Sequence, residues 1–473
     1  MTLRASVLAC LMVSTAMSPA SSYAFGLLDA FAAARHNDPQ YRVAWQTREA
    51  GVQEERIARA QLLPQASLTY GYNRNWLNQR VESPNTGQTE HRSNSNYPGY
   101  SGRVEVRQPV INMQAWAGYK QGQAVSQAAE AEFDGRHQEL MIRLYDAYSG
   151  VLLARDQVAI AKAQVVALGE QMRSNERMFK SGEGTRTDVI ETRSRYDVAE
   201  AQVIEAEDML ADALRVLSAM VGPGYFQRVD ELDQLVPKFS PSPKQVNSID
   251  HWIQLALSSN SEIEASRFGV QAADADVSRQ RAGHLPTLDL VAAHGVNEAD
   301  SVTTINQRNR TSMVGVQLRV PIFSGGAVSA STTQAVANYG RAQAELDATR
   351  DAVIVDLRKQ YGLVNSNAAK IKALESAVAS AQLLVEATRK SVLGGTRVNL
   401  DVLNAEEQLY TARRDLAQAR YDYLNAYMQL RYRAGVLSVD DLETVARYFE
   451  PAGSTGQGNA YSKKRTKNSV AAK

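Results

Sequence analysis

Charged residues follow two glycine-containing turns in this sequence. Asp188 comes shortly after the turn at 182–184, and Arg397 and Asp401 come shortly after the turn at 394–395. An arginine and a carboxylate at neighbouring turns can form an ion pair. An aspartate in the first turn of a helix complements the partial positive charge at that end. The chemistry available at these turns is therefore hydrogen bonding and charge pairing rather than bond breaking.

Residues for catalysis or metal binding do not occur in recognisable patterns. The six histidines show no ligand spacing, no phosphate-binding loop of the G-x-x-x-x-G-K type is present, and no nucleophile motif occurs. The formal net charge of +1 gives no reason to expect a nucleic-acid partner. We therefore predict a protein without enzymatic activity, metal or cofactor. The histidines are His36, His91, His137, His251, His284 and His294.

A helix with a seven-residue repeat follows the second turn. Large apolar residues and alanines alternate in steps of three and four, so both series fall on one seam along the helix. A strict seven-residue repeat on a helix of about 3.6 residues per turn predicts left-handed coiling against a partner helix. The large series is Val402, Leu409, Leu416, Tyr423 and Leu430, and the small series is Ala405, Ala412, Ala419 and Ala426.

The same pattern follows the first turn. A constant shift of 213 residues maps the first series onto the second, with Asp188 on Asp401, which indicates an internal repeat. Because partner helices approach closely at the small positions, we expect Ala199 and its equivalent Ala412 to tolerate no larger side chain. The large series is Val189, Tyr196, Val203, Leu210 and Leu217, and the small series is Thr192, Ala199, Ala206, Ala213 and Met220.

The first 24 residues have the features of a secretory signal peptide. Arg4 precedes a short apolar run, Val7 to Met17, and residues 22–24 offer small side chains at the cleavage-site positions. A buried helix is the alternative interpretation of this run. The only cysteine, Cys10, lies inside it, so we expect no disulfide or thiolate metal site in the mature chain. No later apolar run has the length of about 18 residues that a transmembrane helix needs.

Local periodicity divides the remaining chain into two repeats, 25–224 and 249–434, joined by a proline-containing linker at 225–248. Each repeat reads as helix, two strands of alternating polarity, a long helix and a heptad helix. A C-terminal helical segment, 435–450, precedes a basic tail, 451–473, which we expect to be disordered. The predicted strands are 66–76, 100–110, 287–297 and 312–322, the long helices 112–180 and 324–392, and the heptad helices 186–221 and 399–433.

Four amphipathic strands are compatible with two architectures. They fit half-buried soluble hairpins, which the strands alone favour, and they fit a lipid-facing barrel with a polar interior. The helices change this balance, because a helix of about 70 residues is about 100 Å long and no globular core needs that length. Open sheet edges are not tolerated in lipid, so a membrane form requires several copies, and three copies give about 12 strands.

These motifs resemble those of the TolC-like outer membrane channel proteins. The most specific similarity covers 395–397, 401–405 and 409–410 around the second turn, with further similarity at 187–189 and at 320–326. The resemblance implies a mixed α/β membrane protein with two structural repeats per chain. It implies a homotrimeric 12-stranded transmembrane β-barrel, four strands per chain, in the Gram-negative outer membrane. The barrel would continue into a long periplasmic α-helical coiled-coil tunnel.

The function that this resemblance implies is export. The second turn and the unlipidated signal peptide resemble the branch of the family that forms the exit duct of type I protein secretion. Its partners are a periplasmic adaptor protein and an inner-membrane ABC transporter. The alternatives are the outer membrane component of a multidrug or metal efflux pump, with a proton-driven partner, and a non-conducting periplasmic coiled-coil tether. A tether has no need of two amphipathic strand pairs, so the strands favour a channel.

The resemblance makes Asp401 a candidate pore residue. Three copies would form a carboxylate ring at the closed periplasmic end of the tunnel. Asn404 stands where many relatives carry a second acidic residue, so we expect a ring with less charge here. The alternative for Asp401 is purely structural, since an acidic side chain in the first turn of a helix complements the helix N-terminus.

The resemblance also implies a network that holds the tip shut, formed by Thr187, Asp188 and Arg397. Val392 stands where close relatives place a tyrosine, so one contact of that network is missing or replaced. The alternative for Asp188 is a capping box with Thr185 at the start of the first heptad helix.

Overall fold

The computed structural model describes residues 25–77, 80–82, 89–91, 95–226, 229–236, 239–241, 248–299 and 307–450. The predicted signal peptide and the predicted disordered tail lie outside these ranges. Helices make up most of the described chain. They are α1 (Leu27–Asn37), α2 (Pro39–Ala60), α3 (Met113–Ser181), α4 (Arg186–Val221), α5 (Ile249–Ser259), α6 (Ser261–Arg281), α7 (Ala327–Leu393), α8 (Asn399–Arg433) and α9 (Val439–Ala446).

The described strands form one main sheet and two short ribbons. They are β1 (Gln65–Leu77), β2 (Arg80–Glu82), β3 (Thr89–His91), β4 (Ser95–Ile111), β5 (Gln234–Leu235), β6 (Thr287–Ala299), β7 (Gln307–Arg319) and β8 (Phe449–Glu450). The main sheet has the order β1–β4–β6–β7, and all its neighbouring strands are antiparallel. Within the described residues of one chain, β1 and β7 each have one unpaired edge, and the sheet does not close on itself.

Two long helices, α3 with 69 residues and α7 with 67, determine the length of the helical region. Each is about 100 Å long at about 1.5 Å per residue. α2 and α4 both pack against α3, while α6 and α8 both pack against α7 and α3. The shorter helices therefore stack end to end beside the long ones. Side by side, the helices are arranged as α2 stacked with α4, then α3, then α6 stacked with α8, then α7.

Local side-chain and backbone features determine where α3 begins and ends. At its start, the Asn112 side-chain oxygen accepts a hydrogen bond from the backbone N–H of Ala115 at 2.9 Å. This bond satisfies one of the free N–H groups of the first helical turn. At its end, Gly182 has a φ of 81°, a left-handed conformation that glycine adopts without a steric penalty.

The two faces of the main sheet differ in polarity. Residues directly opposed on antiparallel strands share a face, as Leu68 and Val104 do. One face, termed the apolar face, is exposed in the single chain. The other is polar, and there Arg103 and Arg107 both pair with Glu105. The apolar face carries Leu68, Tyr70, Tyr72, Val104, Val106, Leu290, Val314, Val316 and Leu318.

The main apolar core surrounds the middle of α3 and includes side chains of α1, α5, α8 and α9. Leu140, Tyr145 and Tyr148 of α3 are fully buried there. The Tyr148 hydroxyl donates to the carbonyl oxygen of Phe25 at 3.0 Å and accepts from the N–H of Asp233 at 3.1 Å. The core therefore ties the start of the described chain and the linker between the halves to α3.

The strand bounds differ most from the predicted ones in β4 and β7. β4 begins at Ser95 rather than at residue 100, because its pairing with β1 continues as far as Leu77. β7 runs from Gln307 to Arg319, whereas the alternating pattern predicted a strand over 312–322, so both of its ends lie nearer the start of the chain than predicted. Pro321 lies in the part that leaves the sheet, since proline has no N–H to donate to a ladder.

The helical bounds also require corrections. α7 begins at Ala327 rather than at residue 324, because Gly325 and Gly326 adopt positive φ values of 63° and 82° and form a turn. The segment 435–450 is helical only over α9. Its last residues, Phe449–Glu450, form a strand that pairs with Gln234–Leu235 inside the predicted linker. This pairing joins segments far apart in sequence, so local pattern did not indicate it.

Candidate gate at the helical tips

A capping box closes the first turn, between α3 and α4. The Asp188 carboxylate accepts hydrogen bonds from the Thr185 backbone N–H at 3.1 Å and from the Thr185 hydroxyl at 2.6 Å. The Thr185 hydroxyl oxygen in turn accepts from the N–H of Asp188 at 3.1 Å. Within one chain, Asp188 therefore has the structural role that the capping-box alternative assigned to it. Thr187 is exposed and makes no side-chain hydrogen bond to a described residue.

The second turn, between α7 and α8, is held by backbone and hydroxyl contacts. Gly395 has a φ of 73°, and Thr396 donates to the carbonyl oxygen of Ser391 through its N–H at 3.0 Å and through its hydroxyl at 3.1 Å. Val398 caps α8 without a side-chain hydrogen bond. Arg397 is exposed, and no ion pair joins it to another described residue. Its guanidinium is therefore available to groups outside the single chain.

The structure does not bring Asp188 and Arg397 into an ion pair within one chain. The Asp188 carboxylate is already occupied by Thr185. Val392, in the last turn of α7, is partly buried and has no polar group to offer. An Asp188–Arg397 interaction would have to form between neighbouring copies of the chain.

Asp401 and Asn404 have different environments on α8. Asp401 is partly exposed, and its carboxylate makes no hydrogen bond or ion pair with the described residues. Asn404, almost one turn later, accepts a hydrogen bond from the Arg195 guanidinium at 3.1 Å. The same guanidinium pairs with Glu407. Arg195 therefore connects α4 to α8, and Asn404 takes part in a link between the two helical hairpins.

A buried network of neutral side chains joins α3, α4 and α8 just inside the tips. The Thr192 hydroxyl accepts from the side-chain amides of Asn175 at 2.7 Å and Asn399 at 3.1 Å, and it donates to the Asp188 carbonyl oxygen at 2.8 Å. Gln171 donates to the amide oxygens of Asn399 at 2.9 Å and Asn175 at 3.1 Å. The four side chains Gln171, Asn175, Thr192 and Asn399 are termed the Thr192 node.

The Thr192 node fastens the first residue of α8 to the first helical hairpin. Thr192 is 0%, Asn175 3% and Asn399 5% exposed. Without the Thr192 hydroxyl, the Asn399 amide nitrogen would lose its acceptor in the closed tip, and the Asn175 amide nitrogen would keep only a long contact of 3.5 Å to the Asp188 carbonyl oxygen. Because none of these side chains carries a charge, salt has little effect on the attraction between them. Sequence reasoning placed Thr192 in the small series of the heptad helix but gave it no role. The available signal was a hydroxyl at a position that the repeat otherwise fills mostly with alanine.

An ion pair between a buried carboxylate and a partly exposed arginine joins α7 to α8 farther from the tip. Glu406 is 2% exposed and accepts a hydrogen bond from the Arg389 guanidinium at 2.5 Å. Tyr410, one turn later, donates its hydroxyl to the carbonyl oxygen of Ala163 on α3 at 3.2 Å. Burial raises the pKa of Tyr410, and the nearby Glu406 carboxylate raises it further. α8 is therefore tied to both long helices.

The seam between α3 and α8 carries further polar contacts. Asp156 accepts a hydrogen bond from the Tyr421 hydroxyl at 2.9 Å. Burial raises the pKa of Asp156, while Arg155 and the tyrosine act in the opposite direction. Desolvation also raises the pKa of Asp146 to about 6, against the effect of its hydrogen bond from Asn425. Both carboxylates thus connect the two halves of the chain by hydrogen bonds.

Metal-binding clusters and membrane-spanning helices are both absent from the part of the chain that the structure describes. No group of three or more His, Cys, Asp or Glu side chains there is arranged to hold a metal ion. None of the helices in that part combines the length and the apolar character needed to cross a membrane.

Comparison with known proteins identifies the family. The family model described as "Outer membrane efflux protein" matches residues 31–223 and 252–436. These two segments include both helical hairpins and both strand pairs. The chain belongs to the outer membrane efflux protein family. This membership confirms the predicted resemblance and the predicted location in the outer membrane.

Relatives of this family member are known from secretion systems. It is 41% identical over 445 residues to the proteases secretion protein PrtF of Dickeya chrysanthemi, covering 93% of this chain and 95% of PrtF. It is 40% identical over 428 residues to the alkaline protease secretion protein AprF of Pseudomonas aeruginosa, covering 90% of this chain and 88% of AprF. These relatives are named as secretion proteins rather than as enzymes.

A solved structure shares the fold of this family member. The outer membrane protein VceC of Vibrio cholerae superposes with a TM-score of 0.73, covering 86% of this chain and 96% of VceC at 19% sequence identity. The four-stranded sheet and the long helices of the present chain thus belong to the fold of a known outer membrane protein.

Proposed function

We propose that three copies of this chain form the outer membrane exit duct of a type I protein secretion system, with proteases as the class of cargo. The observation that carries this proposal is the 40–41% identity, over almost the whole chain, to two proteins named for protease secretion. A periplasmic adaptor and an inner-membrane ABC transporter complete the system and supply the energy. The duct itself needs no catalytic residues.

Ring formation is supported by the unpaired edges of the main sheet. β1 and β7 have exposed backbone N–H and C=O groups along one side in the described part of a single chain. In lipid, such groups require a partner strand. Pairing β7 of one copy with β1 of the next is a head-to-tail contact, which closes into a ring when the rotation allows. Three copies give a barrel of about 12 strands, within the range of known outer membrane barrels.

The helices support the same head-to-tail contact. α2 and α4 form one flank of the helical region, and α7 forms the other. The flank with α2 and α4 corresponds to the β1 edge of the sheet, and the flank with α7 corresponds to the β7 edge. Both flanks expose large apolar side chains that a neighbouring copy would cover. They are Val43, Trp45 and Ile57 on α2, Ile190, Val198, Ile204, Met209 and Val216 on α4, and Val336, Val355, Leu363, Leu383, Leu384 and Leu393 on α7.

Cross-linking tests the ring. Val216 on α4 and Leu363 on α7 are 56% and 38% exposed and lie at similar distances along their helices from the tip turns. Cys10, the only native cysteine, lies in the predicted signal peptide. We expect the Val216→Cys/Leu363→Cys variant, treated with a short bis-maleimide, to give a covalent trimer on denaturing gels. Each single variant is the control and should remain a monomer. A covalent ladder that stops at the dimer would contradict a three-fold ring.

We further propose that Asp401 lines the narrow end of the tunnel, where three carboxylates in a confined space attract cations. Its partly exposed carboxylate, without a partner among the described residues, supports this role. Asp401→Ala should lower the cation selectivity of single channels in planar bilayers and weaken block by multivalent cations. Asp401→Glu, which keeps the charge, is the control. Unchanged selectivity together with lower thermal stability would favour the helix N-terminus role instead.

A second candidate function is drug or metal efflux, which the name of the family favours. Complementation separates the two. In a strain that lacks PrtF but keeps its adaptor and ABC transporter, this chain should restore protease to the culture medium. Restored drug resistance in a strain that lacks its efflux channel, without restored protease secretion, would favour efflux. A non-conducting tether has neither effect and offers no role for the apolar face of the sheet.

A further inference from the structure

Three arginines lie on the apolar face of the main sheet at the end remote from the helices. They are Arg74 on β1 and Arg308 and Arg310 on β7. The register establishes their face: Arg74 lies two residues beyond Tyr72, and Arg310 is directly opposite Val296. Side chains two residues apart on a strand point to the same side. The arginines therefore continue the apolar face rather than the polar one.

The position of these arginines along the barrel axis matches the outer border of the apolar band that spans the membrane. Arg310 is eight residues along β7 from Leu318, the last apolar residue at the helical end of this strand. At about 3.3 Å per residue and a tilt of about 40°, this separation is about 20 Å along the barrel axis. The apolar band of outer membrane barrels is about 25 Å tall. The guanidinium groups would thus reach the level of the outer lipid headgroups.

The positive charge at this level is not neutralised within the described residues. Glu298 pairs with Arg308 at 3.5 Å, and both side chains are about half exposed. Arg74 donates to the neutral amide oxygen of Asn96 at 2.8 Å. Arg310 is exposed and forms no ion pair within the described ranges. Three arginines therefore face one carboxylate on this side of the sheet.

Beyond Arg103, the described residues on the opposite face at this end of the sheet are uncharged. It carries the amide side chains of Asn73, Asn75, Asn297 and Asn309. A basic ring meant to attract solutes into the lumen would place its arginines on that inner face. The arginines instead point to the side that the apolar residues define, which in a barrel faces the lipid.

We propose that Arg74, Arg308 and Arg310 form a binding site for phosphate groups on lipids of the outer leaflet. This inference rests on the proposed function, because it needs the sheet to be part of an outer membrane barrel. Guanidinium binds phosphate oxygens through two parallel N–H donors and remains charged at every physiological pH. Its apolar stem packs along the apolar face while the head reaches the interface. The ring contact would place β7 of one copy beside β1 of the next, so the three arginines would form one belt.

Native mass spectrometry of the trimer in neutral detergent tests this site. The probes are bis-phosphorylated lipid A and the same lipid after enzymatic dephosphorylation. We expect the unmodified protein to retain the phosphorylated lipid about tenfold better, and Arg74→Gln/Arg308→Gln/Arg310→Gln to lose this preference. The triple lysine variant, which keeps the charge, should retain part of it. Arg319→Gln, on the polar face, should behave like the unmodified protein.

The other outcomes have definite meanings. Equal retention of both lipids by the unmodified protein overturns the proposal. Displacement of the lipid by inorganic phosphate at equal concentration assigns the arginines to free phosphate and also overturns it. The mass of the particle reports separately on trimer formation, so a failure of the ring is distinguishable from a failure of the lipid site. Restored protease secretion by the triple glutamine variant would show that a lost lipid preference is not the result of misfolding.

Discussion

Replacing Thr192 by valine should open the periplasmic end of the channel. Valine has nearly the same shape as threonine, but it offers neither the hydroxyl oxygen that accepts from Asn175 and Asn399 nor the proton given to the Asp188 carbonyl. Each buried amide left without a partner costs about 1–3 kcal/mol. In an open tip, water would hydrate these groups, so the cost falls on the closed state. Since 1.4 kcal/mol is about tenfold in an equilibrium constant, we expect a tenfold or larger rise in the open fraction.

Single-channel recording in planar bilayers measures this change, and sensitivity of cells to large antibiotics gives a second readout. Thr411→Val is the matched control, because Thr411 is on α8, is exposed and makes no side-chain hydrogen bond to a described residue. Raised salt should leave the effect of Thr192→Val unchanged, as expected for a neutral network. Conductance equal to that of the unmodified channel would show that the Thr192 node does not hold the tip.

Replacing Ala199 by leucine should strongly destabilise the assembly. Ala199 is 1% exposed and lies between Leu168 of α3 and Leu403 of α8. Three added carbon atoms at this position have no space unless the helices move apart. Overpacking of this kind costs about 1–3 kcal/mol for each chain, and a ring of three copies would include it three times. We expect a clearly lower melting temperature of the trimer and a loss of protease secretion.

Ala412→Leu provides the matched control, and here the structure corrects the expectation from sequence. Ala412 is the repeat equivalent of Ala199, and the repeat predicted that neither would tolerate bulk. In the structure Ala412 is only partly buried and borders a surface groove with Leu374 and Thr411. We therefore expect Ala412→Leu to melt close to the unmodified protein. Equal destabilisation by both variants would show that the two seams are equally tight in the assembly.

The sequence predicted those features that arise from short-range spacing. A seven-residue repeat places residues three and four apart on one helical face, which indicated α4 and α8. The alternation of apolar and polar residues has the period of a strand, which indicated four strands. The capping box of Thr185 and Asp188 spans only three residues, so its alternative role for Asp188 was visible from sequence.

Contacts between distant segments were decided by the tertiary structure. Arg195 and Asn404 are 209 residues apart, and Thr192 and Asn399 are 207 residues apart. No local pattern indicates which of many polar side chains on four long helices will meet. The proposed Asp188–Arg397 pair illustrates the limit, because both residues were correctly placed at turns but do not meet within one chain.

By itself the sequence determined the family, the type and order of most elements, and the placement of the candidate gate residues at the two helical turns. Periodicity and turn residues act over a few positions, and these suffice for such inferences. Only the tertiary structure decided which seam positions are tightly packed, as Ala199 is and Ala412 is not. It also decided that Thr192, at a buried position of the small series, joins the hairpins together with the Arg195 contacts. The physical reason is that burial and hydrogen bonding depend on how helices distant in sequence pack together, which periodicity alone does not specify.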